Sequence, residues 1–147
     1  MNISDIIKIK YPEAESLKNY KIQDDGLGPY IAEWNLEAPK PTQEDIDSWL
    51  LDPVTLLSYL KSQVEQKVRV LIESKPKEKG YDNVYTISSY VTSSIVQWKN
   101  EADAFVSWRD SVFSYCYAQL ADIQNNLRPL PISVDAFISE LPTLTWP

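Results

Sequence analysis

Histidine is absent from the 147 residues, cysteine and methionine occur once each, and glycine occurs three times. With no histidine and a single thiol, Cys116, the chain can hold no Ser-His-Asp triad, Cys-His pair, histidine zinc site or internal disulfide. No catalytic residue, metal ligand or cofactor-binding residue is therefore assigned. No apolar run approaches the roughly 18 residues of a membrane span, so no membrane partner is expected. The opening Met1-Asn2-Ile3-Ser4-Asp5 lacks the basic start and apolar core of a secretion signal. A cytoplasmic protein is expected, and one unpaired thiol fits that compartment.

Basic residues are also in short supply, 14 Lys and Arg against 21 Asp and Glu, for a net charge of −7. The first 52 residues carry 5 bases and 11 acids, residues 53–80 carry 6 and 3, and residues 81–147 carry 3 and 7. Only the middle segment is basic, which argues against nucleic acid as a ligand, because phosphate binding needs a basic face.

What remains is an apolar content of 44%, enough for one ordinary core or two small ones. Ser4 is read as the cap of a short opening helix that ends at Pro12. "YKIQDDGLGPYIAEWN" reads as a hairpin, with Tyr20 and Ile22 on one strand and Tyr30 or Ile31 and Trp34 on the other. Asp24 and Asp25 beside Gly26 and Gly28 suit a turn better than a calcium loop, whose oxygens are spaced and closed by a glutamate. Thr42 with Asp45 predicts a capping box for a second short helix, in which Ile46, Trp49 and Leu50 share a face. Asp52-Pro53 starts a third helix with an apolar stripe at Leu57, Leu60, Val64, Val68 and Leu71. Opposite it runs a charge ladder, Lys61, Glu65, Arg69, Glu73 and Lys77, which is read as a solvated face. "KPKEKG" follows as a polar hinge.

Residues 81–117 hold nine of the seventeen aromatics. "YDNVYTISSYVTSS" is read as a short helix. Beyond it Ile95, Trp98, Ala102, Phe105, Arg109, Val112, Cys116, Leu120, Ile123 and Leu127 recur at steps of three and four, predicting one long helix. Cys116 lies on that stripe and is read as a packed apolar group. Ser133 caps a last short helix, and Leu144, Trp146 and Pro147 belong to an extended apolar tail. The predicted fold is mainly helical α+β: a helix-hairpin-helix unit over 1–52, an amphipathic helix and hinge over 53–80, and a helical domain with an extended tail over 81–147.

Two stretches resemble known phage families. "YP" at 11–12, "QDDGLGPYIAEWN" and "APKPTQEDIDSW" resemble the N-terminal region of XkdW-type proteins of phage tail modules, through Trp34, Pro41 and Thr42. "WKNEADAFVSWRDSVFSYCYAQLADI" with "RPLPISVDAFISELP" resembles a segment of small phage tail-fibre assembly proteins, through Glu101, Ala102, Trp108, Arg109, Asp110, Leu141 and Pro142. The ladder helix between them departs from the family pattern and leaves the placement of the two halves open.

The resemblance implies a non-enzymatic chaperone that binds a tail fibre in the host cytoplasm during assembly. The second option is a permanent structural subunit of the virion tail or baseplate. Partners would be the fibre protein or a neighbouring tail subunit, with a homo-oligomer also compatible and no cofactor required. Trp34, Leu144, Trp146 and Pro147 are the candidate partner-binding residues, and removal of residues 142–147 is expected to weaken fibre binding more than folding. Arg109 has no opposite charge three or four residues away, so Arg109, Asp110 and Trp108 are read as a clasp, with Arg109 reaching Glu140 or the tail. A hydrolase built on Glu101 and Asp103 is disfavoured, because the two lie about 200° apart around a helix.

Overall fold

The computed structural model describes residues 1–147, which divide into two compact units, 1–62 and 63–147. It is mainly helical with one two-stranded sheet, as the composition and periodicity imply.

The first unit opens with α1 (Ile3–Lys10). Its cap is Asn2 rather than Ser4: the Asn2 side chain accepts from the Asp5 N–H at 2.9 Å and the Asp5 carboxylate accepts from the Asn2 N–H at 2.8 Å. Ser4 instead shares a 2.8 Å hydrogen bond with the Tyr20 hydroxyl, tying α1 to the sheet. The sheet pairs β1 (Tyr20–Asp24) antiparallel with β2 (Pro29–Trp34). A bulge between Lys21 and Ile22 moves the register so that Ile22 faces Ile31. Ile31 is buried, and the exposed Tyr30 donates to Asp25 at 2.6 Å. One Asp24 carboxylate oxygen accepts the N–H groups of Gly26 and Gly28, both at positive φ, so the acid closes the turn and the glycines permit it. Thr42 and Asp45 form the predicted capping box of α2 (Gln43–Leu51). Ile3, Ile6, Ile7, Tyr20, Ile31 and Ile46 make this unit's core.

The unit boundary falls within α3 (Pro53–Ser74). Asp52 caps it by accepting from the Val54 and Thr55 N–H groups and the Thr55 hydroxyl. In the second unit, KPKEK forms a 3-10 turn over Lys75–Lys79 that ends at Gly80 in the left-handed region, and Pro76 is buried. The segment is therefore folded onto its own unit.

Next come α4 (Val84–Ser89), a 3-10 turn over Tyr90–Thr92, α5 (Val96–Gln124) and α6 (Val134–Ile138). Asn83 caps α4 by accepting from the Tyr85 and Thr86 N–H groups. Asn83→Ala should cost about 1 kcal/mol. Faster hydrogen exchange at the Ile87 and Ser88 amides would show it, and unchanged protection there would refute it.

The α5 periodicity is real, and Ala102, Phe105 and Val112 of its expected stripe are buried, but the Arg109 position and both ends of the stripe are not. Glu101, Ala102, Phe105, Trp108 and Val112 are buried, whereas Arg109 is half-exposed and Ile95, Trp98 and Leu127 are exposed. Trp108 takes the stripe position expected of Arg109. Val68, Ile72, Ile87, Phe105, Val112 and Phe137 complete the core. Cys116 packs at its edge, half-buried, and burial pushes its thiol pKa up.

Candidate partner-binding site

A clasp between α5 and the C-terminal segment exists, but Arg109 does not form it. Arg109 Nε and Nη2 donate to its neighbour Asp110 at 3.1 and 2.9 Å on the open side of the helix. Adjacent helix positions do not normally face each other; the length of the arginine side chain lets it fold back along the surface. The long-range contacts come from Trp108 and Arg128. Trp108 Nε1–H donates to the Pro142 carbonyl at 2.8 Å, fixing the tail to α5. Arg128 grips Glu140 with Nη2, 2.6 and 2.7 Å from the two oxygens, and lies over the Phe137 ring. Tyr115 donates to the same carboxylate. The Arg128 and Tyr115 hydrogen bonds hold the Glu140 pKa below its ordinary value.

The candidate partner residues are placed as follows. Trp34 lies half-buried in the first unit, donating to the Ala38 carbonyl at 2.6 Å with its ring 5.2 Å edge-on from Tyr11. Leu144 and Trp146 pack against the core of the second unit. Trp146 Nε1–H donates to Glu78 at 2.9 Å, and the Lys79 ammonium sits 5.7 Å over its ring. Pro147 is exposed. The tail thus packs on its own unit.

Sequence reading missed a concave feature of the second unit, a cavity of about 560 Å³ between the Lys75–Lys79 turn, α4 and the start of α5. Tyr81, Tyr90 and Trp98 form one wall, with centroids 5.5 Å apart for the tyrosines and 5.3 Å for Tyr90 and Trp98. Glu101 lies in the lining, only 4% exposed. Its carboxylate accepts from Tyr81 at 2.8 Å and Gln97 at 3.3 Å, and the Lys79 ammonium is 3.5 Å away. No local pattern reports a pairing twenty residues apart. The available signal was the spacing of Glu101, three after Trp98 and four before Phe105, which puts an acid on the apolar side of α5.

Burial works against the Glu101 charge, but the Tyr81 and Gln97 hydrogen bonds and Lys79 outweigh it and lower the pKa. Tyr81 moves the other way, to about 12, through burial and the adjacent carboxylate. A depressed carboxyl stabilises the fold above its unfolded pKa and loses that contribution as pH falls through the folded value; a raised tyrosine stabilises it below pH 10 and loses that between 10 and about 12. Glu101→Gln should therefore flatten the acid limb of stability below pH 4.5. Denaturant midpoints measured from pH 3 to 7, on the ordinary carboxylate scale, check this, and parallel curves for the two proteins would refute it. Asp103 is exposed and paired with Lys99, so it does not converge with Glu101 on one point.

A family model described as XkdW protein matches residues 3–54, the stretch holding α1, the hairpin and α2. Over 49 residues the chain is 47% identical to the phage-like element PBSX protein XkdW of Bacillus subtilis (strain 168), covering 33% of this chain and 45% of that protein. Over 87 residues it is 37% identical to the uncharacterized protein YqcD of the same organism, covering 57% of this chain and 78% of that protein. The chain belongs to the XkdW family. This phage-related family is matched through a hairpin and a capping box whose roles in the fold are described above. The XkdW-family chain spans less than half the length of the PBSX protein and about four fifths of YqcD. No solved structure matches it.

Proposed function

We propose that this XkdW-family protein is a non-enzymatic tail-fibre assembly chaperone or accessory protein, which binds the fibre in the host cytoplasm and can stay with it on the virion. The observation that carries this reading is the position of the residues that resemble fibre-assembly proteins. Ala102, Trp108, Leu141 and Pro142 build the packed joint between α5 and the tail, so the likeness falls on what shapes the unit. Beside that joint, Tyr90 and Trp98 offer a partly open aromatic wall, and such side chains give large contact area at low entropic cost.

Co-expression with the tail-fibre protein of the same phage element, followed by pull-down, is the test; capture is expected, and absence of capture overturns the reading. The alternative, a permanent structural subunit of the tail or baseplate, is favoured by a sheet of only two strands, to which a neighbouring chain can add a third. Mass spectrometry of purified particles tests this alternative: a permanent subunit must be present in stoichiometric amount, and absence from the particle overturns it and leaves a chaperone that departs after assembly.

A further inference from the structure

We propose that the Glu101 cavity is a receptor for a protonated side chain, arginine in preference to lysine, presented by a partner protein. That a protein supplies the cation rests on the assembly reading above; the cation site itself does not.

Three observations converge. First, the wall is aromatic: Tyr81 packs tilted against Tyr90 and Tyr90 edge-on against Trp98, and Trp98 is 41% exposed although its ring belongs to this trio. Ring faces attract cations, tryptophan most strongly. Second, Glu101 lies in the lining and is held ionised by neighbours that use three of its positions. A carboxylate has about four acceptor sites, so one is left. Third, the lining holds three carboxylates, Glu78, Asp82 and Glu101. Lys75 pairs with Glu78 at 2.7 Å and Lys79 with Glu101 at 3.5 Å, so the negative charge that the cavity keeps is that of Asp82.

An anion would meet repulsion there, and an apolar group would strip water from Glu101 without replacing its hydrogen bonds. A guanidinium satisfies both surfaces, because its plane stacks on a ring while its edge donates to a carboxylate. Ammonium offers the charge without the stacking, which sets the order of preference.

The test is a titration of the full chain with N-acetyl-arginine amide, followed by the Trp98 indole and Tyr90 amide resonances. The neutral isostere N-acetyl-citrulline amide serves as the control. A ligand of this size should saturate on the order of millimolar. Saturable shifts confined to the cavity with arginine and absent with citrulline are expected. Glu101→Gln should abolish them. Trp98→Ala, at an exposed position outside the core cluster, should weaken them about tenfold with the denaturation midpoint unchanged. Equal responses to the two amides, shifts spread over the acidic surface without saturation, or unchanged binding by Trp98→Ala would each overturn the proposal. The titration needs no fibre, so its failure rejects the receptor while leaving the assembly reading intact, and a failed pull-down does the reverse.

Discussion

Trp108→Ala is expected to lower stability by about 3–5 kcal/mol, the range for deleting a buried aromatic ring. Trp108 is 5% exposed, packs with its centroid 6.0 Å from that of Phe105, and donates its only N–H to the Pro142 carbonyl. One side chain thus serves as core and as tether. Trp108→Phe separates the roles: it keeps a ring and removes the donor, and should cost about 1–2 kcal/mol for the lost hydrogen bond and imperfect fill. Urea denaturation of both variants tests the division. A Phe variant as damaged as the Ala variant would show that the tether carries most of the effect, and an Ala variant near wild type would refute the packing argument altogether.

The second large effect concerns the tail. A chain ending at Leu141 should lose roughly 3 kcal/mol, summing half-burial of Leu144 and Trp146 with the Trp108–Pro142 hydrogen bond. As an extended apolar segment, the tail was expected to serve binding more than folding. Packing against the core reverses that ranking: truncation should depress the melting temperature first, and any loss of capture then follows from an opened unit. Trp146→Ala gives a gentler measure, since the rest of the tail stays. A truncated chain that melts like the full one would restore the tail as a free anchor.

The elements legible in the sequence were those whose cause is local. The Asp24 turn, the Thr42–Asp45 box and the Asp52 cap each need only residues within five positions, and the structure contains all three. The first helix start was misread although its signal was present. Asn2 precedes Asp5 by the same three residues that separate Thr42 from Asp45, whereas the residue three after Ser4 is Ile7. The middle of the α5 stripe was misplaced at one position because steps of three and four from Phe105 reach Trp108 and Arg109 equally, and either leads on to Val112. The apolar candidate should have broken that tie, since a charged side chain enters a core only with a partner.

What could not be read were contacts between segments. Arg128 and Glu140, or Tyr81 and Glu101, are brought together by the path of the chain. Neither pair leaves a periodic trace.

Cys116 turns its position into a clock. It is the chain's one thiol, half-buried at the edge of the second unit's core with its pKa pushed up, so little nucleophilic thiolate meets reagent near neutral pH. Alkylation then proceeds mainly through excursions that uncover this part of α5, and its rate reports how often they occur. The tethers from Trp108 within α5 and from Arg128 beyond its end hold the C-terminal segment against this part of the unit, and a stopwatch on a single sulfur reads their loosening without any added label.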